Sequence, residues 1–245
     1  MSQLKNNHWL RQQPIAHRGL HDGNVAVPEN SLSAFAKAIT AGYPIELDIQ
    51  IISDGTIIVF HDSNLQRACG VSKLTRKLTV SDLKKHNLFG TTEKIPTLVE
   101  VLELVNGQVP LLIELKTETL NKRLEQNLLQ ILSGYQGQFA LQSFNPFSVK
   151  WLQKNSTYSI GQLAEASLAF KPFNNIIEYL QLNKQQTPDF IGYDIDLFPN
   201  KTVTHFKQKG IPVLAWTVRN QEQIEQKATH FDNIIFEGFI PEGRF

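Results

Sequence analysis

Short apolar runs alternate with longer amphipathic stretches along the whole chain. The runs have the length and composition of buried strands, whereas the stretches between them repeat apolar residues at helical spacing. The predicted strands are Pro14–His17, Ile45–Ile49 continuing into Ile57–Phe60, Leu111–Lys116, Phe139–Gln142, Ser159–Leu163, Phe190–Tyr193, Pro212–Thr217 and Asn233–Phe236. The predicted helices are Asn30–Gly42, Thr97–Val105, Leu120–Leu132, Phe147–Gln153, Asn174–Leu182, Lys201–Gln208 and Gln221–Ala228.

Eight strand positions with helices between them predict an α/β fold, a closed parallel (β/α)₈ TIM barrel. With 245 residues, 41% of them hydrophobic, the chain can bury one large core, so we expect residues 1–245 to form a single domain. An open doubly wound sheet is the alternative, but no glycine-rich fingerprint follows the first strand. Only the tail Gly238–Phe245 follows the last strand, so the eighth helix is missing or replaced by the N-terminal segment.

Composition narrows the classes of partner and compartment. The formal charge is +1 and basic residues are spread along the chain, so we do not expect nucleic acid as a partner. The single cysteine, Cys69, excludes an internal disulfide, which suits a reducing compartment. Met1–Gln13 has no apolar core, so we expect neither a signal peptide nor a stable membrane anchor, and we expect a cytoplasmic protein. Nothing in the sequence indicates the oligomeric state.

Two carboxylates, Glu46 and Asp48, interrupt the apolar run of the second predicted strand. Residues two apart on a strand share a face, about 6.6 Å from each other. Two like charges in a buried strand cost several kcal/mol unless a positive charge neutralises them, and a divalent cation does this best. The alternative is that this strand is an exposed edge with solvated carboxylates. That alternative would leave unexplained why other apolar runs also end in polar residues.

Those polar ends carry His17, His61 and Glu114, each at the C-terminal end of its own apolar run. Two imidazoles at one site suit a proton acceptor and a proton donor near neutral pH. A competing idea is that both histidines bind zinc together with Glu46. Three carboxylates rather favour a hard cation, Mg²⁺ or Ca²⁺.

Positive side chains stand next to these groups in the sequence. Arg18 follows the first histidine, and Lys116 shares a strand face with Glu114. Both offer charge for a phosphate, with Arg18 the stronger candidate, although Lys116 is equally well explained as a salt-bridge partner. Trp216 either presents its ring to a substrate or fills the barrel interior.

Together these residues resemble the glycerophosphodiester phosphodiesterase family over nearly the whole chain. The matching segments are His17-Arg18-Gly19, Pro28-Glu29-Asn30, Glu46-Leu-Asp48, His61-Asp62, Ile95-Pro96-Thr97-Leu98, Glu114-Leu-Lys116, Ser143-Phe144 and Trp216-Thr217-Val218. The resemblance implies a (β/α)₈ barrel, a divalent cation on the three carboxylates, a histidine acid/base pair, and phosphate-binding positions at Arg18 and Lys116. One departure is Phe236-Glu237-Gly238, where many members have Thr-Asp before a proline. For Asn30 we favour helix capping over support of the metal ligands.

The resulting expectation is a metal-dependent enzyme that cleaves glycerophosphodiesters, as small-molecule substrates, to glycerol 3-phosphate and an alcohol. A lysophospholipase D-type phosphodiesterase is a related alternative. Phe144, Tyr193 and Phe198 lie at strand ends comparable to that of Trp216, and an aromatic mouth to the barrel would accept a slightly larger apolar group than glycerol. A barrel that only binds a phosphorylated ligand would require the loss of a catalytic group, and none of the five core positions is lost.

Overall fold

The computed structural model describes residues 7–117, 121–165 and 187–242. These fall into two compact units: the first unit is Ala16–Phe139, and the second unit combines Met1–Ile15 with Ala140–Phe245. The predicted helix Asn174–Leu182 lies outside the described residues. That residues 1–245 act as a single domain stays a prediction.

The strands and helices follow the predicted order closely. The strands are β1 (Ile15–Ala16), β2 (Ile45–Ile51), β3 (Ile57–Val59), β4 (Leu111–Leu115), β5 (Phe139–Ser143), β6 (Ile160–Ala164), β7 (Phe190–Asp194), β8 (Val213–Val218) and β9 (Asn233–Phe236). The α-helices are α1 (Leu32–Ala41), α2 (Gln66–Cys69), α3 (Val80–Leu83), α4 (Leu98–Val105), α5 (Arg123–Leu132), α6 (Pro146–Asn155), α7 (Lys201–Gln208) and α8 (Gln221–Lys227). Short 3₁₀ turns occur at Asn7–Arg11, Thr75–Lys77, Ile195–Leu197 and Ala228–His230.

In the first unit, β2 pairs with three other strands. It runs parallel to β1 and to β4, and its Asp48 lies in register with Glu114 of β4. It also pairs antiparallel with β3, so Ile57–Val59 is a separate strand that returns along β2 rather than extending it. This hairpin brings the end of β3, and with it His61, back towards the carboxylate strand.

The segment from β3 to residue 95 forms a small apolar core together with Ile52, which follows β2. Its buried members are Ile52, Ile58, Phe60, Leu65, Ala68, Leu78, Leu83, Leu88 and Ile95. The helices α2 and α3 of this segment were not predicted from the sequence, because four residues are too few to show helical periodicity.

In the second unit, β5 to β9 pair in parallel, each strand with the next in sequence. The 3₁₀ turn Asn7–Arg11 lies against the last strand, since Asn233 donates hydrogen bonds to the carbonyl oxygens of Leu10 (3.0 Å) and Gln13 (2.7 Å). Within the described residues, no helix follows β9. The described part of the N-terminal segment thus contacts β9; that it replaces the eighth helix stays a prediction. Among the described helices, none has the length and apolarity that crossing a bilayer requires.

Candidate active site

Three carboxylates meet on the neighbouring strands β2 and β4. Glu46 and Asp48 share one face of β2, and Glu114 lies opposite Asp48 in the parallel register. One oxygen from each carboxylate lies within 4.8 Å of the others, and all three side chains are buried. The structure thus places the three predicted metal ligands together.

Two cations partly neutralise this carboxylate cluster. Lys116 Nζ lies 2.5 Å from Glu114 Oε1 and 3.2 Å from Asp48 Oδ1, while Arg18 Nε lies 3.2 Å from Asp48 Oδ2. The backbone N–H of Arg18 donates to Glu46 Oε2 at 3.1 Å. Three negative charges thus face two positive ones, so the cluster retains an excess of one negative charge if all the carboxyls ionise.

The electrostatics of the cluster follow from this imbalance. Burial raises the pKa of Glu46 well above its ordinary value, and repulsion from Asp48 and Glu114 adds to the shift. Burial also raises the pKa of Glu114 to about 7, although Lys116 opposes it. Burial acts against ionisation of Asp48 too, but Lys116 and Arg18 outweigh it and the pKa of Asp48 falls far below its usual range. Asp48 is therefore the permanently charged member of the cluster.

This arrangement fits a hard divalent cation. Asp48 Oδ1 and Glu114 Oε1 are buried, and within the described chain no hydrogen bond of ordinary geometry reaches either oxygen; Lys116 contacts both as an ion pair. Oxygen-only carboxylate ligands are those that Mg²⁺ and Ca²⁺ prefer. Among the described residues one group meets the spacing of a metal site, and no histidine belongs to it, which disfavours the zinc alternative.

Arg18 reaches the cluster because the chain turns sharply after β1. Arg18 itself has a φ of 54° and Gly19 a φ of 82°. A Cβ on Gly19 would lie 2.9 Å from the Cβ of Ala34 in α1, so both the backbone conformation and the close approach require glycine there.

Asn30 supports Asp48 and does not cap α1, so the helix-capping prediction for this residue is wrong. Its Nδ2 donates to Asp48 Oδ2 at 2.8 Å, and its Oδ1 accepts from the backbone N–H of Asp48 at 3.3 Å. Ser31 is the N-cap instead, with its hydroxyl accepting from the N–H of Ala34 at 3.2 Å. Asn30 has a φ of 56°, a conformation that asparagine tolerates better than most residues.

His61 is oriented by its neighbour in sequence. Its Nδ1 lies 2.7 Å from Asp62 Oδ1. Burial acts against ionisation of Asp62, but Arg67 and His61 outweigh it and lower the pKa, so the carboxylate accepts and Nδ1 carries the hydrogen. This leaves Nε2 as the nitrogen open to other chemistry. Burial lowers the pKa of His61 below its ordinary value, although the charge of Asp48 opposes that shift.

His17 is half-buried at the end of β1, and its charge, together with that of His61, contributes to the low pKa of Asp48. Both predicted histidines thus lie within electrostatic reach of the same carboxylate. Trp216 belongs to the second unit, where its ring packs edge-on against Phe144 with centroids 5.5 Å apart. Its predicted contact with substrate stays a prediction.

Sequence reasoning missed the hydrogen-bonded pairs behind these residues. Arg67 binds both Asp62 and Glu29, and Glu29 accepts from Arg18 Nη1 at 2.8 Å. A local pattern could not have revealed them, because Arg67 and Glu29 are 38 residues apart. The segment Phe236-Glu237-Gly238, which departs from the family pattern, has a contact of its own: Glu237 forms an ion pair with Arg219 at 2.8 Å.

Solved structures of other proteins are similar to this chain over most of its length. A solved phosphodiesterase of Oleispira antarctica, in complex with the product sn-glycerol-3-phosphate, superposes with a TM-score of 0.76 at 24% identity, covering 94% of each chain. A solved glycerophosphodiester phosphodiesterase of Thermotoga maritima gives 0.72 at 26% identity, covering 91% of this chain and 92% of that one. These likenesses and the parallel strand pairing confirm the predicted (β/α)₈ barrel.

The family follows from the sequence match. The family model described as "Glycerophosphoryl diester phosphodiesterase family" matches residues 17–237, so the chain belongs to that family. A glycerophosphodiester phosphodiesterase of Caldanaerobacter subterraneus subsp. tengcongensis is 29% identical over 224 residues, 86% of this chain and 88% of that protein. A lysophospholipase D of Rattus norvegicus is 32% identical over 153 residues, 55% of this chain and 45% of the rat protein. The prediction of a phosphoric diester hydrolase is confirmed.

The contacts of Asn30 generate a first prediction. Ser31→Ala removes the cap of α1, lowers the free energy of unfolding by about 1 kcal/mol and leaves kcat/KM unchanged. Asn30→Ala removes the amide that holds Asp48 and lowers kcat/KM by about 10–100-fold. Asn30→Gly, which keeps the positive φ without strain, should lose the same activity. Equal activity in Asn30→Gly and wild type would contradict this reading.

The raised pKa of Glu114 generates a second prediction, for metal-free protein in chelator. The pKa of Glu114 is 4.5 in the unfolded state and about 7 in the folded state. Between these two pH values the folded state holds a proton that the unfolded state has lost, so the free energy of unfolding falls as the pH rises through this window. Glu114→Gln removes this loss, and urea unfolding at pH 5 and pH 8 measures it. His61, with the opposite sign, titrates in both proteins. Glu46 has the same sign as Glu114, and its shift becomes smaller when the repulsion from Glu114 is removed, so the difference between the two slopes reports on Glu114 together with its effect on Glu46. Parallel pH profiles would refute the assignment.

Proposed function

We propose that the protein hydrolyses glycerophosphodiesters to glycerol 3-phosphate and an alcohol with one bound divalent cation, Mg²⁺ or Ca²⁺. The observation that carries the proposal is the carboxylate cluster: three buried carboxylates, with one oxygen of each within 4.8 Å of the others, in a chain whose match to the family spans residues 17–237. The product bound to the Oleispira antarctica phosphodiesterase is of the same chemical class.

Glu46, Asp48 and Glu114 would hold the cation. When bound, it supplies positive charge that offsets the charge of the phosphodiester and stabilises the charge that develops on its oxygens. Asp48 is the anchor, because Asn30, Arg18 and Lys116 keep it ionised and oriented.

Arg18 and Lys116 would bind the phosphate. Their side chains retain 16% and 20% exposure, so each can reach a ligand at the rim of the carboxylate cluster. Arg18 is the stronger anion ligand because its planar guanidinium donates several hydrogen bonds in fixed directions. Lys116 contacts two carboxylates, so it is both a salt-bridge partner and the nearest ammonium to an incoming phosphate.

His17 and His61 would transfer the protons. One imidazole takes the proton of the attacking hydroxyl as its oxygen forms a bond to phosphorus, and the other gives a proton to the alcohol as its P–O bond breaks. The attacking hydroxyl is either water or the neighbouring hydroxyl of the glycerol, and the second route gives a cyclic glycerol phosphate first. Asp62 fixes the ring of His61 so that Nε2 does this work.

Product identification tests the proposal as a whole. Purified protein is treated with chelator, reloaded with Mg²⁺ or Ca²⁺, and given a panel of glycerophosphodiesters beside a lysophospholipid. The proposal expects glycerol 3-phosphate as the product of the metal-loaded protein, and no turnover when chelator is present. Choline release from lysophosphatidylcholine but not from glycerophosphocholine would favour the lysophospholipase D-type alternative, which the rat relative makes worth testing. Binding without turnover of any diester would favour a barrel that only binds phosphorylated ligands.

Metal binding gives a third prediction. Since Glu46 and Glu114 have raised pKa values, cation binding near pH 7 should release protons. Calorimetric titration in two buffers of different ionisation enthalpy measures that release. Glu46→Gln and Asp48→Asn should lose binding while staying folded, whereas the exposed control Glu103→Gln should bind as wild type. Unchanged affinity in Asp48→Asn would remove the basis for the metal site.

The two histidines give a fourth prediction. His17→Ala and His61→Ala should each lower kcat by about 10²–10⁴-fold on a glycerophosphodiester with a natural alcohol as leaving group. The double variant should lose less than the product of the two losses. A substrate with a good leaving group needs no proton donor, so replacing the acid should hardly affect it, whereas replacing the base should slow every substrate. Wild-type kcat on glycerophosphocholine in either single variant would assign that histidine a structural role.

A further inference from the structure

Two of the residues proposed to act on substrate lie at opposite ends of one hydrogen-bonded chain. At one end Arg18 Nη1 donates to Glu29 Oε1 at 2.8 Å, and at the other Asp62 Oδ1 lies 2.7 Å from His61 Nδ1. Arg67 forms the middle of this chain. We name the five residues Arg18, Glu29, Arg67, Asp62 and His61 the arginine relay.

Arg67 binds both of its carboxylate neighbours in a two-pronged manner. Its Nε and Nη2 donate to Asp62 Oδ2 and Oδ1 at 2.7 and 3.0 Å. Its Nη1 and Nη2 donate to Glu29 Oε2 and Oε1 at 3.0 and 2.7 Å. Bidentate pairs of this kind fix direction as well as distance, and a lysine cannot reproduce them.

The guanidinium is also held from the side of its own helix. Leu65 and Ala68 are buried in the small apolar core of the 57–95 segment, and their packing there orients α2. The guanidinium carbon of Arg67 lies 5.3 Å from the centre of the Phe89 ring. Although the Arg67 side chain is 44% exposed, contacts on several sides thus restrict it.

Glu29 is ionised in its position between Arg18 and Arg67. Burial acts against its charge, but Arg67 and Arg18 outweigh it and lower the pKa of Glu29 to about 2. Asn24 Nδ2 donates to Glu29 Oε2 at 3.1 Å, so Glu29 accepts from three side chains. Glu29 thus contacts both Arg18 and Arg67 directly and connects the two guanidinium groups.

We propose that Arg67 is a positioning residue, which sets the placement of Arg18 relative to His61 by bridging Glu29 and Asp62. The inference rests on the proposed function, because it assigns consequences to a phosphate ligand and a proton-transfer group. It adds a residue from the 57–95 segment that touches neither the carboxylate cluster nor either histidine in the contacts described above. A displaced Arg18 weakens substrate binding, and a displaced His61 slows proton transfer, so loss of Arg67 should change KM and kcat together.

The test compares Arg67→Met and Arg67→Lys with two controls. Asp82→Ala loosens the same segment without touching the arginine relay, since Asp82 pairs with Lys73 at 3.0 Å and accepts from the Thr79 N–H at 3.0 Å. Arg76→Met removes an exposed arginine of the same segment. Kinetics on glycerophosphocholine, thermal unfolding, and the NMR signals of the His61 ring nitrogens and Nδ1–H in metal-free protein are measured for each.

We expect Arg67→Met to lower kcat by about 10–100-fold and to raise KM, because small misplacements of reacting groups have effects of that size. Arg67→Lys should recover only part of the loss, and the His61 signals should shift in both. Asp82→Ala should lower the unfolding temperature with wild-type kinetics and His61 signals, and Arg76→Met should match wild type. The double variant Arg67→Met/Glu29→Gln should lose less than the product of its single variants.

Three results would overturn the inference: unshifted His61 signals in Arg67→Met, a change in only one of kcat and KM, or equal kinetic losses in Asp82→Ala and Arg67→Met. The NMR measurement needs no turnover, so it tests the positioning role separately. If wild-type protein hydrolyses no diester, the proposed function fails, whereas unshifted signals in an active enzyme defeat only the role of Arg67.

Discussion

The repulsion among three buried carboxylates is the constraint on which the first unit depends. Asp48 sits at the centre of it, fully buried, with Lys116, Arg18 and Asn30 each approaching one of its oxygens. Without these partners its burial as an anion would cost several kcal/mol. The positions of Arg18 and Asn30, both in left-handed backbone conformations, are explained by the need to reach it. A cation bound by all three carboxylates would offset their repulsion and favour the ionised forms of Glu46 and Glu114.

Much of this was predictable because strand alternation is a strict geometric rule. Two carboxylates two residues apart on an apolar strand must share a face, and a third at the end of a parallel neighbour must lie near them. Helix bounds were predicted nearly as well: Lys201–Gln208 was found as expected, and Gly42, the predicted end of the first helix, is the C-cap of α1. The family resemblance then named the chemistry that the residues alone left open.

What could not be predicted depends on contacts between distant residues and on backbone conformation. Asn30 precedes a helix, and at that position its side chain has two common uses; only the positive φ and the position of Asp48 decide between them. Arg67 lies in a four-residue helix with no periodic signal. Its partners are Asp62, in the loop just before α2, and Glu29, in a loop 38 residues earlier. The return of β3, by contrast, was visible in the sequence, since the turn Ser53-Asp54-Gly55-Thr56 predicts that the run ending at His61 comes back to the carboxylate strand, and β3 does pair antiparallel with β2.

The hairpin of β2 and β3 has a consequence for how the site is assembled. Its turn occupies only the residues between Ile51 and Ile57, so the carboxylates and the His61 loop come together by a contact between near neighbours in the sequence. Closing so short a loop carries little entropic cost and is fast compared with pairing of remote strands. The chain can thus form the half of its charged centre that holds Glu46, Asp48 and His61 early in folding, before Glu114 arrives on β4. The third carboxylate then meets the other two in a later step, when β4 pairs with β2. Lys116, the residue directly after β4, brings its ammonium in the same step.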